Sequence, residues 1–465
     1  MGGRSKHTEG QAGWSRMERR AGASLASIYA VRMLGLFMIL PVFALYADQF
    51  EGATPTLIGL ALGIYGLTQG LLQIPYGMLS DRFGRKPMIA IGLLIFAAGS
   101  LVAADADTIY QMIAGRALQG SGAVAAVLMA LAADLSREEH RLKMMGFIGV
   151  SIGFAFALAM VIGPILNGMV GLSGIFITTA VLAIFALLIL FIWVPSPQQS
   201  SFHRDTQAMV TLFSKVLEDQ QLLRLNFGIF ILHMVLMATY VAFPLVLLNQ
   251  AGLAAEDHWK LYLPVFLLSV ALMVPFIIIA EAKRRMKTVF VGAIGVLAVA
   301  EINLLLGGDS ILHLGATMVV FFTAFNLLEA SLPSLISKMA PADRKGTAMG
   351  VYSSSQFIGA FIGGWAGGLS YEFANAEGVF LMCSFALLLW FLLACTMKNP
   401  RYVSTYLLKI GKIEPAQVNQ MISKLVSVQG VAEASIEAEE GIAYLKVEMH
   451  ALDTETLLQY SINQN

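Results

Sequence analysis

Between residues 24 and 397 the chain alternates long apolar stretches with short polar breaks, and twelve such stretches follow one another: 24–47, 56–79, 87–104, 108–133, 142–167, 174–194, 224–249, 259–280, 288–306, 310–337, 346–371 and 377–397. A helix needs about 20 mostly apolar residues to cross a bilayer. Backbone polar groups in lipid must be satisfied within the element itself, so each stretch predicts a helix rather than a strand. After residue 399 the pattern changes. Residues 402–410 alternate like a strand, and 415–428 form an amphipathic helix entered at Pro415. Residues 431–437 and 442–448 make a strand pair joined through Ala438-Glu439-Glu440-Gly441, and 453–460 read as a short helix capped by Asp453. The expected fold is an all-α membrane protein of twelve transmembrane helices, followed by a small α/β domain. The order β-α-β-β-α of that domain is ferredoxin-like, lacking its last strand.

Composition agrees. Apolar residues make up 57% of the chain and charged residues 13%, against about 45–50% and about 25% in soluble proteins. That excludes disordered, collagenous and disulfide-scaffold classes. Thirty basic and thirty acidic residues cancel, so no global basic field points to nucleic acid. Cys383 and Cys395 share one apolar run; twelve helical residues separate them by about 18 Å, too far for a bridge.

The charges are nevertheless sorted. The N-terminal tail, the even-numbered breaks and the exit of span 12 together hold 23 Lys or Arg, whereas the odd-numbered breaks hold one, Lys260. The odd breaks carry acids instead, among them Asp48, Glu51, Asp105, Asp107 and Glu372. Under the positive-inside rule this predicts a multi-pass protein of the inner (cytoplasmic) membrane with both termini cytoplasmic. The first 23 residues are too polar for a signal peptide core and read as a cytoplasmic tail.

The longest break, 195–223, divides six spans from six, and the halves echo each other at an offset of about 200 residues. Asp81-Arg82-Phe83-Gly84-Arg85-Lys86 follows span 2, and Glu281-Ala282-Lys283-Arg284-Arg285 follows span 8. Arg141 with Met145-Gly146 opens span 5, as Lys345 with Met349-Gly350 opens span 11. Parallel six-helix repeats are one architecture of secondary transporters, with the substrate site between them at mid-membrane. The expected organisation is a tail 1–23, helical bundles 24–194 and 224–398 joined by a cytoplasmic linker 195–223, and the cytoplasmic domain 399–465.

The densest motif lies between spans 2 and 3: Gly77-Met78-Leu79-Ser80-Asp81-Arg82-Phe83-Gly84-Arg85-Lys86. It resembles the G-x-x-x-D-R-x-G-R-[RK] signature of the major facilitator superfamily, in the correct loop of a twelve-span chain. Gly115-Arg116-Ala117-Leu118-Gln119-Gly120 in span 4 is similar to the family's R-x-x-Q-G element, and Gly149, Gly153 and Gly163-Pro164 in span 5 match part of the glycine-rich helix of its antiporters. The resemblance implies alternating access, and a conformational latch on the cytoplasmic side built from Gly77, Asp81, Arg82, Gly84, Arg85 and Lys86. In that arrangement Asp81 faces the start of span 11 at Gly346–Gly350, and Arg85 pairs with Asp134. A carboxylate there suits a helix N-terminus. Small residues in span 5 would permit close helix approach.

Ionisable residues inside a membrane are functional candidates by default. These are Arg32, Arg116, His233, Glu301, His313 and Glu329. His313 is interfacial and Glu301 sits in a peripheral span of the family fold. Spans 1, 4, 7 and 10 line the family's cavity, which leaves Arg32, Arg116, His233 and Glu329, with Gln119 and Asn326 beside them and Tyr65, Gln69, Gln73 and Gln356 as weaker members. Glu329, with Asn326 in the same span, is the expected proton site. Arg32 has an alternative, snorkelling to the cytoplasmic surface, and Arg116 an alternative in tying span 4 to its neighbours.

The expected function is a proton-driven secondary exporter, an antiporter of small amphiphilic organic molecules. A proton-coupled importer, or a transporter-like receptor regulated by the C-terminal domain, are the alternatives. There is no G-x-x-x-x-G-K-[ST] loop for ATP, no catalytic pattern of an enzyme and no cofactor loop. No metal site is expected: copper-carrying domains of similar topology place paired cysteines where this chain has Gly411-Lys412-Ile413-Glu414. The domain's eight acids against five bases predict weak, salt-sensitive docking on the basic loops, and its open strand edge offers self-association.

Overall fold

A computed structural model describes residues 13–196, 213–341, 345–399, 404–438, 441–448 and 451–462. The Gln/Ser run of the inter-half linker, most of the N-terminal tail, the join to the C-terminal domain and the Glu439-Glu440 turn lie outside the described residues.

Nine apolar segments are long enough to cross a membrane among the described residues, and two of them are 50 residues long. At about 1.5 Å per residue each of those two crosses twice. Spans 5 and 6 lie in Glu138–Ile192, which breaks at Gly171 with φ 67°. Spans 11 and 12 lie in Lys345–Cys395, which breaks at Ala374 and Asn375. With the first helix, Arg16–Phe37, the crossings number twelve. The others are Pro55–Phe83 (span 2), Arg85–Ala104 (span 3), Ile109–Asp134 (span 4), Gln220–Asn249 (span 7), His258–Ala282 (span 8), Met286–Leu306 (span 9) and Ile311–Met339 (span 10).

Spans 1 and 4 differ from expectation, and the first helix ends at Phe37 rather than at 47. The first helix begins at Arg16, within the segment read as tail, because Ser15 and Glu18 form a reciprocal capping box there. Span 4 is two helices, Ile109–Ser121 and Ala125–Asp134, interrupted at Gly122. A break at this depth frees carbonyls that have no water to bond, and such backbone is tolerated only where protein covers it. Span 1 supplies the partners. The Tyr29 hydroxyl donates to Ala125 O at 2.6 Å, and Arg32 Nη2 to Gly122 O at 3.3 Å.

The halves meet on the side of the acidic loops. Span 2 presents Gly59, Gly63 and Gly66 to span 11, where a Cβ on Gly59 would strike the Gly364 carbonyl oxygen and one on Gly63 the Phe361 oxygen. That is the close helix approach small residues allow. At the same end the Glu372 carboxylate accepts from the Thr56 amide at 3.1 Å, at the N-terminus of span 2. Phe156 of span 5 packs edge-on against Phe266 of span 8, centroids 5.6 Å apart. Toward the basic loops the halves part, and span 8 has no buried residue from Val270 to Ile279.

The C-terminal domain is a three-stranded antiparallel sheet in the order β1-β3-β2: Ser404–Lys409 (β1), Val431–Glu437 (β2) and Ile442–Val447 (β3). A helix Val418–Val426 and a short helix Thr454–Leu458 complete it. Leu408, Leu425, Ala443, Leu445, Val447 and Leu457 form its core. The Ile462 amide donates to Lys409 O at 3.0 Å, so the chain returns to the free edge of β1 where a fourth strand would lie.

Candidate functional site

The loop between spans 2 and 3 is held open by Gly84, whose φ of 92° suits glycine. The next residue, Arg85, turns inward, with 2% of its side chain exposed. Its Nη1 pairs with Asp81 and donates to Ser80 Oγ at 2.6 Å, while Nε donates to Asp134 Oδ2 at 3.0 Å. Asp134, 1% exposed, ends span 4, so one guanidinium joins spans 2, 3 and 4. Asp81 stays 40% exposed at the mouth of the same loop. Lys86 Nζ donates to Val194 O at 2.6 Å, at the end of span 6. Arg82 lies over its neighbour Phe83. Gly77 is on the span 2 side of this cluster, and Gly346 is buried at the start of span 11, one turn before Gly350.

Deeper in the N-terminal half both arginines are enclosed. Arg32 is 0% exposed, and its Nη2 donates to the Tyr65 hydroxyl and to Gln69 Oε1, each at 2.7 Å. The guanidinium also lies over Phe96 of span 3. Snorkelling is therefore not its state. Arg116 donates to Ala61 O and Leu62 O of span 2 and to Gln119 Oε1 at 2.8 Å, and Gln119 donates on to Ser100 of span 3. Both cations flank Tyr65 and stitch spans 1 to 4 into one bundle. Gln73 instead crosses between the halves, donating to Ser354 Oγ at 3.0 Å.

The C-terminal half is built differently. Glu329 lies 10 residues before the end of span 10 and keeps 38% of its side chain open. The Gln356 amide of span 11 donates to Glu329 Oε1 at 3.3 Å and to His233 Nε2 of span 7 at 2.8 Å. Glu329 Oε2 lies 3.9 Å from the same His233 nitrogen. With the amide so oriented, His233 accepts at Nε2 and carries its ring proton on Nδ1. Three spans thus converge on one carboxylate at mid-depth. Asn326, expected as its companion, is half-buried on the same helix and is not among these partners. Glu301 is fully enclosed between spans 7 and 9. Its Oε1 accepts from the Thr239 hydroxyl at 2.6 Å, and Oε2 has no hydrogen-bond partner among the described residues.

The span 5 glycines do not behave alike. A Cβ on Gly163 would strike the Met38 carbonyl oxygen of span 1, whereas one on Gly149 or Gly153 would meet nothing within 4 Å. Close packing at the latter two is absent here. Pro164 follows Gly163 inside the same helix.

Two clusters escaped the sequence reading. Glu18, 1% exposed, accepts from the Arg137 amide at 3.0 Å, from Arg137 Nη2 at 3.1 Å and from the Ser15 amide at 2.7 Å, with His140 Nδ1 at 3.1 Å. It joins the start of span 1 to the start of span 5. The Ser15-x-x-Glu18 spacing signalled the cap, though not the distant arginine. The second is Lys446 on β3, 6% exposed, whose ammonium donates to Lys338 O at 3.3 Å and to Ala340 O. A cation on the carbonyl end of span 10 is favourable. It differs from the expected contact of domain acids with basic loops.

The sequence profile described as Major Facilitator Superfamily matches residues 25–364. The chain is 48% identical over 434 residues to the inner membrane transport protein YajR of Escherichia coli K12, covering 93% of this chain and 94% of that one. It is 25% identical over 364 residues to the multidrug resistance protein MdtH of Aeromonas salmonicida, covering 74% and 86%. Among solved structures, an inward-facing bacterial homologue of the human lysosomal transporter Spinster aligns with a TM-score of 0.66 at 13% identity, over 82% of this chain and 96% of that one. Twelve crossings, a motif loop closed around Arg85 and near-complete coverage by YajR lead to one conclusion: the chain belongs to the major facilitator superfamily and is a secondary transporter, not an enzyme.

Proposed function

We propose that this transporter is a proton-driven exporter of small amphiphilic organic molecules, oriented with both termini in the cytoplasm. The observation that carries the reading is the carboxylate of Glu329, held at mid-depth by Gln356 and beside His233. A carboxylate on a side chain that is 38% exposed is a group on which proton and substrate can compete. Ionised, it only accepts, from Gln356; protonated, it can also donate, so the hydrogen bonds open to it with spans 7 and 11 change. A ligand shifts an equilibrium only through differential affinity for the two states, and this exchange supplies such a difference. The Arg85 cluster serves as the latch on the basic face, with Asp81 toward span 11. Export, rather than import, is favoured by the partial antiporter glycine pattern of span 5 and by the resistance function named for the MdtH relative.

The test is transport in everted vesicles with an imposed pH gradient. Glu329→Gln is expected to lose the pH dependence of transport while retaining substrate exchange. Full proton coupling in that variant would remove Glu329 from the mechanism and move the coupling to His233, Asp81 or Asp134.

A further inference from the structure

Outside the transport path, the lipid-facing wall holds a groove of about 480 Å³ between spans 1 and 6. Ala23, Ser27 and Ala30 of span 1 form its floor, Phe185 and Ile189 of span 6 its far wall, and Arg20 and Trp193 its head. The floor residues are small and recur at helical spacing, so the trough runs along the helix for about 11 Å. Its body is apolar and open sideways, with Phe185 47% and Trp193 50% exposed.

The head is cationic. Arg20 Nε donates to Trp193 O at 2.8 Å and Nη2 to Ile192 O at 3.0 Å, while Lys86 donates to Val194 O. Two full positive charges therefore share one helix C-terminus, whose dipole offsets only about half a charge. Arg16 and Arg19 lie exposed on the same turn. The acid of that turn, Glu18, is turned away and bound to Arg137. A surplus of positive charge thus sits at the interfacial end of an apolar trough, beside a tryptophan of the kind that marks the headgroup level. Basic pockets between spans on this side of a membrane are suited to anionic headgroups.

We propose that the groove between spans 1 and 6 binds an anionic phospholipid, its phosphate at Arg20 and one acyl chain along Ala23, Ser27 and Ala30. The bound lipid pins the C-terminal end of span 6 to span 1, beside the loop that carries Lys86.

Native mass spectrometry of the full-length protein, with phosphatidylglycerol or phosphatidylcholine added, tests this. Phosphatidylglycerol is expected to be retained in preference, and Arg20→Gln to weaken it about fivefold, the contribution of one cation near a charged headgroup. Ser27→Phe, which fills the trough and leaves the cation in place, is expected to remove retention of both lipids at this site. Equal retention of the two lipids, or of phosphatidylglycerol by wild type and Ser27→Phe, would overturn the proposal. Competition by millimolar inorganic phosphate to the same extent as by phosphatidylglycerol would reduce the site to an anion site and overturn it as well. If Arg20→Gln fails to fold, Ser27→Phe alone decides.

Discussion

At the scale of single residues, charge burial separates the side chains that hold the molecule together from those that can change state. Arg85 and Asp134 are both enclosed, and removing one partner of such a pair typically costs about 3–5 kcal/mol. Asp81, 40% exposed, shares the guanidinium at lower cost. In the proposed latch Asp81 meets the N-terminus of span 11 only in the state closed on the basic face. An exposed charge at a helix end contributes at most about 1 kcal/mol, so Asp81→Asn is expected to shift the population toward the state open on that face by up to about fivefold while leaving insertion normal. Cysteine labelling along the basic loops measures this; unchanged labelling with full transport contradicts a latch role for Asp81. Glu18 is a structural counterpart. Glu18→Gln removes charge-assisted bonds to Arg137 and is expected to cost about 2 kcal/mol, read as a lower thermal unfolding midpoint with proton coupling intact. An unchanged midpoint would show that water replaces Glu18 without loss.

At the scale of elements, the twelve crossings were legible because each needs about 20 apolar residues, a signal no local exception erases. The motif loop was legible for a related reason: Gly84, Arg85 and Asp81 act within one turn of each other in sequence. The break in span 4 was not, since Gly122 is followed by apolar residues that continue the stretch, and its satisfaction by Tyr29 and Arg32 depends on a different helix. The Glu18 cluster was hidden likewise, its arginine lying 119 residues away. Arg32 and Arg116 were identified by type, yet their directions, into the bundle rather than toward the opposite half, are set by packing around Tyr65. The contact between spans 2 and 11 carries its own prediction. A Val at Gly63 would run into the Phe361 carbonyl, so Gly63→Val is expected to favour the state open on the acidic face. A thiol introduced at Thr56 would then label faster; labelling as slow as in the glycine protein would mean the helices separate little during transport.

At the scale of the whole molecule, the appended domain touches the transport unit where a helix ends. Lys446 caps the carbonyls that close span 10, the helix that carries Glu329 ten residues earlier. Lys338 on the same final turn pairs with Glu281 at the end of span 8. The domain is therefore placed to bias the C-terminal half without entering the path. Deleting the residues after Arg401 is expected to leave a folded, inserted transporter with altered activity or pH response, and Lys446→Ala to shift it in the same direction. Loss of insertion on truncation would make the domain structural. Activity identical to wild type in both variants would leave it no regulatory part.

Proton-coupled alternating access is the claim on which the rest depends. Everted vesicles containing the wild-type protein or Glu329→Gln, supplied with a mixture of metabolites and amphiphilic drugs and assayed with and without a pH gradient, test it most directly. The expected result is gradient-driven accumulation of at least one amphiphilic compound by the wild-type protein, lost in Glu329→Gln while exchange of the same compound persists. Accumulation that ignores the gradient in the wild-type protein, or that follows it equally in Glu329→Gln, would contradict the account.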